Sequence, residues 1–280
     1  MVDLDFVIGQ EVGLPVGMQR HSSAEFRRRI LAAALSHQLG LSSVDYTLKR
    51  YVSPEEYDEP KLILGDYVSD FLRDGMKAIS AGCVKAHQRE TTSFGQFGAD
   101  LTLYRLPGML DTARMLANRG LFLEVLPILR MCLEMLAWAN VSFYVSNEDD
   151  VVKLKANYCV SKLNNLYRSA GQIYGYFSKF AHWEHELHGH FLTIENEKIG
   201  VISTSRLQRA KSLLLCLIIL DVWLEVLRKL YPAEAPDIIL EVQDVSGRDK
   251  SRATYSLGSE ILKACQNSSE IDEILRLMVA

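Results

Sequence analysis

The chain contains no C-x-x-C pair, no G-x-S-x-G turn and no H-E-x-x-H stretch. It therefore lacks the simplest signatures of dithiol redox chemistry, of an exposed nucleophilic serine and of a zinc protease. Long apolar runs are missing too. The longest, Leu213 to Leu220, is eight residues and is followed at once by Asp221 and Glu225. A membrane span needs about 20 apolar residues, so no membrane partner is expected. Residues 1–20 have neither the charged start nor the apolar centre of a secretory signal. The five cysteines, Cys83, Cys132, Cys159, Cys216 and Cys265, are odd in number and widely spaced. That pattern fits a reducing, cytoplasmic setting better than a disulfide framework. A strong excess of one charge is absent as well. At a net charge of −4 there is no overall basic surface for nucleic acid, although a local basic groove stays open. Repeats, low-complexity tracts and heptad arrays do not occur.

What is present is helical periodicity. In 280 residues, 48% are hydrophobic and 24% charged, enough for a sizeable core in one large domain or two small ones. Leu4 to Ile8 alternates as a strand would, in a glycine-rich extended segment over 1–20. Ser22-Ser23-Ala24-Glu25 has the form of a capping box ahead of Phe26, Ile30, Leu31, Ala34 and Leu35, and Gly40 ends that helix. Residues 46–60 read as a charged connector. Leu64, Tyr67, Val68, Phe71, Leu72, Met76 and Ile79 mark a long helix. Further helices are predicted over about 100–118, with a kink or restart at Pro107-Gly108, then 121–146, 151–181 and 205–231, with a short one from Ser269. A small β-hairpin is predicted near 190–203. The expected fold is a mainly α multi-helix bundle over 21–235, with 236–280 as a polar connector and C-terminal helix.

Two of these helices carry polar stripes in apolar surroundings. Arg130 and Glu134 are four apart in a run that is apolar almost all round, from Leu126 to Trp138. Arginine and glutamate are rarely buried without partners. An arginine preceding its glutamate also supports a helix less well than the reverse order. Two readings follow: a structural salt bridge between helices, or a cleft in which Arg130 grips a phosphate or carboxylate in bidentate fashion. Tyr174, Ser178 and His182 share a second face, spanning about 12 Å. They can hydrogen-bond to Arg130 and Glu134, or contact a small ligand together with them.

Weaker metal candidates lie close by. His182, His185, His188 and His190 are four of the seven histidines, and His185 with His188 has chelating spacing. The plainer reading is a solvated helix end. Asp221 and Glu225 form a third stripe, which either meets water at the end of the buried part of its helix or completes a site with Arg130, Lys179 or a histidine. Arg27-Arg28-Arg29 fans around its helix and reads as a solvated face, with RNA contact as a minor option. No cofactor is called for.

The Arg-x-x-x-Glu of Arg130 and Glu134, followed by the Tyr-x-x-x-Ser-x-x-x-His of Tyr174, Ser178 and His182, resembles a bacterial family of uncharacterised helical proteins. The likeness covers about 105–190 and includes the lead-in Ala113-Arg114-Met115-Leu116-Ala117. That family is in turn loosely similar to the higher-eukaryote and prokaryote nucleotide-binding (HEPN) helical domains, some of which are ribonucleases in toxin and antiphage systems. The resemblance implies a soluble binding or effector module of a defence or stress locus, with a site for a nucleotide, small anion or partner at Arg130, Glu134, Tyr174, Ser178 and His182. RNA or a nucleotide is the implied partner, and exposed parts of the apolar helices could support a homodimer. An alternative is a metal-independent ribonuclease with His182 as acid or base and Arg130 stabilising transition-state charge. The nucleases carry Arg and His four to six residues apart on one helix, which this chain does not, so such a site would be composite. A second alternative is a metal-dependent hydrolase built on the histidine cluster with Asp221 or Glu225.

Overall fold

The structure is a computed structural model that describes residues 4–9, 12–19, 23–52, 60–87, 93–180, 192–195, 198–201, 206–246 and 253–278. It is mainly α. The chain forms two compact units, Met1–Ile63 and Leu64–Ala280. This differs from the organisation expected from the sequence. The first predicted helix groups with the N-terminal segment, and the C-terminal helices belong to the large unit.

In the first unit, β1 (Leu4–Gly9) and β2 (Val12–Gln19) pair antiparallel with Leu4 opposite Gln19 and an irregularity between Val7 and Gly9. Helix α1 (Ala24–Gln38) starts at Ser23, whose side chain accepts the Phe26 amide at 3.2 Å. It stops at Gly40, which takes φ +64, a left-handed conformation that costs glycine little. Residues expected as connector form α2 (Val44–Tyr51), because Ser43 caps the Tyr46 amide in the same manner. Leu31, Ala32, Leu35 and Val52 make a small core, with a buried 2.6 Å hydrogen bond between the Ser36 and Thr47 hydroxyls beside it.

The second unit is built around α9 (Arg206–Leu230). Every residue from Lys211 to Leu224 is buried, as expected for a helix that is apolar on all sides. Helices α3 (Pro60–His87), α4 (Phe94–Asn118), α5 (Phe122–Ser142), α10 (Ala235–Ser246), α11 (Ala253–Ala264) and α12 (Ser269–Arg276) surround it. The polar stretch 236–256 hides this role for α11 and α12. Their inward residues, Leu257, Ile261, Ile271, Ile274 and Leu275, join the shared core.

Helix α4 runs unbroken through Pro107 and begins earlier than predicted, since Ser93 caps the Gln96 amide at 3.1 Å. Gly120, at φ +71, turns the chain from α4 into α5. The single helix predicted over 151–181 is instead three: α6 (Glu148–Val152), α7 (Ala156–Leu163) and α8 (Ala170–Lys179). Asn147 caps α6, and the Asn164 carboxamide accepts the Gly171 amide at 2.7 Å at the start of α8. A second antiparallel pair joins β3 (Leu192–Glu195) to β4 (Lys198–Val201).

Three thiols sit deep in this unit: Cys132, Cys159 and Cys216 are all buried. Burial pushes the Cys132 thiol up to about 12 and raises Cys216 as well. A thiol held neutral when folded, but free to ionise when unfolded, stabilises the fold only until the unfolded group loses its proton. Stability is therefore expected to fall as pH rises above about 9, by up to ~1.4 kcal/mol per pH unit for each such thiol. Chemical denaturation at pH 7, 9 and 10 checks the slope, and Cys132→Ala should make it shallower.

Candidate functional site

Helix α5 presents Arg130 and Glu134 on successive turns, and α8 presents Tyr174 opposite them. Arg130 Nε donates to Glu134 Oε1 at 3.1 Å, and Nη2 donates to the Tyr174 hydroxyl at 2.9 Å. The guanidinium carbon also stands 5.0 Å from the centre of the Tyr174 ring. The Tyr174 hydroxyl in turn donates a hydrogen bond to Asn157 Oδ1 at 3.1 Å, which brings α7 into the cluster. These contacts hold the Arg130 pKa above its ordinary value, the hydrogen bond to Tyr174 contributing most and burial opposing it.

The structure thus brings together three of the sequence candidates, Arg130, Glu134 and Tyr174, and adds Asn157. The salt bridge lies within one helix; the tie between helices is the arginine–tyrosine bond. Arg130 and Glu134 are each 29% exposed, so the cluster opens to solvent instead of being sealed inside the bundle. Among the described residues Arg130 Nη1 has no hydrogen-bond partner, whereas Nε and Nη2 are fixed. Ser178 takes another role. Its hydroxyl is shut off from solvent and makes no hydrogen bond among the described residues. His182, His185, His188 and His190 lie outside the described residues, so the composite ribonuclease pairing has only its arginine half in view.

Asp221 does not meet water as its helix position had implied. It is 4% exposed, with Tyr167 donating to one oxygen at 2.9 Å and Thr254 to the other at 2.8 Å. Two hydroxyl donors, from the turn before α8 and from α11, make a buried carboxylate tolerable. Glu225, one turn on, is ion-paired with Arg228. No group of three His, Cys, Asp or Glu among the described residues could hold a metal ion.

One buried polar network was not evident from the sequence. Arg114, 7% exposed, donates to Ser69 Oγ at 2.8 Å and to Asp111 at 2.7 Å. Asn118 donates to the same serine at 2.6 Å and accepts from Arg209 at 3.2 Å, and Arg209 pairs with Asp66 at 2.6 Å. The two arginines are each balanced by one aspartate, and the network ties α3, α4 and α9. Gly65 leaves room for it: a Cβ there would sit 3.2 Å from the Arg209 guanidinium carbon. Arg114 stood out in the sequence only as part of the lead-in 113–117; Asp111 is three residues before it, but Ser69, 45 residues upstream, left no local pattern.

No protein-family model, no curated protein and no solved structure matches the chain. No helix among the described residues is long and apolar enough to cross a membrane.

Proposed function

We propose that this chain is a helical binding or effector module whose site, at Arg130, Glu134, Tyr174 and Asn157, takes the anionic group of a nucleotide or another small ligand. The observation that carries this reading is the state of Arg130. Two of its nitrogens are anchored, so the planar fork is pre-oriented, while among the described residues Nη1 is uncommitted at a partly exposed surface. Asn157, exposed on α7, adds an amide donor beside the Tyr174 hydroxyl. Glu134 opposes an incoming anion, but the balance favours the ligand. A partly exposed ion pair is worth at most about 1 kcal/mol, whereas a charge-assisted hydrogen bond to a phosphate is worth roughly 1.5–3 kcal/mol. Glu134 therefore stays on Nε as the counter-ion that keeps the empty site neutral, and the ligand takes Nη1. The place of such a module in a bacterial defence or stress system rests on the familial resemblance alone.

The test is calorimetric titration of the purified chain with inorganic phosphate and a panel of nucleotides. Arg130→Met should weaken binding at least tenfold, and its thermal midpoint should stay within a few degrees of the parent, because the lost ion pair is weak. A parent protein that binds nothing on the panel at millimolar concentration would refute the reading, as would Arg130→Met binding unchanged. A variant that melts far below the parent would instead assign Arg130 to the architecture.

A further inference from the structure

The outward face of α4 is built unlike a solvated helix surface. Phe94 is 45% exposed, Phe97 49%, Leu101 48% and Tyr104 65%, so four large apolar side chains stand in a row where charged residues would normally be. Their spacing of three, four and three keeps them on one stripe. Gly98 lies in the stripe, and Arg105 and Gly108 continue it. Arg105 is the one cation within 94–108, and the anion in that span, Asp100, is buried and accepts the Tyr231 hydroxyl. A single cation is too little to hold a nucleic-acid backbone, whose binding comes from many phosphate contacts.

We infer that a second copy of this chain docks on this face, with the two α4 helices antiparallel about a twofold axis at Leu101. The argument is the symmetry of the stripe about that residue. Seven residues before Leu101 is Phe94, and seven after is Gly108. Four before is Phe97, and four after is Arg105. Three before is Gly98, and three after is Tyr104. In an antiparallel pair these positions face each other. Each pairing is complementary: a phenyl ring over a glycine, a guanidinium over a phenyl ring, and a tyrosine over a glycine. Nothing lies within 4 Å of where a Gly108 Cβ would stand, so the space for the Phe94 ring of the second copy is open. At Gly98 the floor is the Trp138 ring of α5, 2.8 Å from the Cβ position, which gives the incoming tyrosine an aromatic surface to stack on. The guanidinium-over-phenyl pairing is a cation–π contact made twice by the twofold axis.

Close approach of two helices, about 8–10 Å between axes, needs small residues opposite large ones, and the stripe supplies them in register with itself. An isologous interface demands this self-complementarity. The composition also suits an interface core, being rich in aromatics, with one arginine and no lysine or glutamate. Large aromatics bury roughly 150–250 Å² each. The half-exposed rings, with Leu101, offer several hundred Å² toward the ~800 Å² that each partner gives a standard interface.

The experiment is sedimentation equilibrium of the full chain over micromolar concentrations. The parent should run at twice the chain mass. Leu101→Glu sets two carboxylates against each other on the axis and should give a monomer. Phe97→Arg should do the same, by opposing Arg105 of the other copy. The double variant Phe97→Arg/Arg105→Glu should restore the dimer, because the swap turns that repulsion into an ion pair. All these side chains are exposed, so circular dichroism melts should match the parent and exclude misfolding. A parent that is monomeric throughout, or a dimer that survives both single variants, overturns the inference. Dissociation without rescue by the double variant overturns the antiparallel register. A monomer that floats with lipid vesicles would give the face to a membrane surface instead.

Discussion

Gly95→Ala is expected to destabilise the chain by about 3 kcal/mol or more, read as a lowered guanidinium midpoint at unchanged slope. Gly95 sits in the first turn of α4, where that helix crosses the end of α5. A Cβ there would fall 2.0 Å from the Ser142 carbonyl oxygen and 2.2 Å from that of Val145. Both are backbone atoms, so no side-chain rotation relieves the overlap, and the α4–α5 hairpin must open. Alanine gains helix propensity over glycine, but only about 1 kcal/mol, too little to offset the displacement. The proper control is Gly175 in α8, where nothing lies within 4 Å of the Cβ position. There the propensity gain acts alone, and Gly175→Ala should be stabilising by up to ~1 kcal/mol. If Gly95→Ala is neutral in the same assay, the packing of α4 on the end of α5 is wrong.

Asp221→Ala should cost about 3 kcal/mol, and the cost should be cooperative. The carboxylate is the common acceptor for Tyr167 and Thr254. Removing it takes the carboxylate acceptor from two buried hydroxyls, and leaving a buried donor unsatisfied costs roughly 1–3 kcal/mol. Taking away one donor is milder: Tyr167→Phe and Thr254→Val should cost about 1 kcal/mol each. Once Asp221 is gone, those donor substitutions should cost less than they do in the parent, since the bond each would remove is already lost. Additive losses across the double-mutant cycle would show that the three side chains do not act as one unit. The same measurement bears on the metal reading, because an acid that serves as a structural acceptor loses stability on removal with or without added divalent ions.

The helical character was readable because it is periodic. Val68, Phe71, Leu72, Met76 and Ile79 repeat at helical spacing and are all buried, and the unbroken apolar run of α9 announced a central helix. Boundaries were less legible where a single side chain sets them. The ends of α6 and α8 depend on Asn147 and Asn164, and polar residues in a polar stretch carry no periodic signal. At the candidate site, the i,i+4 rule placed Arg130 beside Glu134 correctly, and the apolar setting singled out Tyr174. Asn157 was invisible because its role depends on where α7 lies in space. Asp221 was misjudged for a related reason. A helix end next to charged residues resembles an exit to water, and only the hydroxyls of Tyr167 and Thr254, 54 residues before it and 33 after it in the chain, explain why it is not one.

The central position of α9 has a consequence for how the chain is made. Helices α3, α4 and α5 are synthesised first, yet the helix that fills the space among them is encoded far downstream. During translation their inner faces stay uncovered until residues 206–230 leave the ribosome, and the closing helices α11 and α12 come later still. A nascent chain in that state exposes long apolar stripes, the kind of surface that chaperones shield and that aggregates when they do not. Stalled or truncated products ending before α9 should therefore be insoluble, whereas the same helices are stable once the last third of the chain arrives.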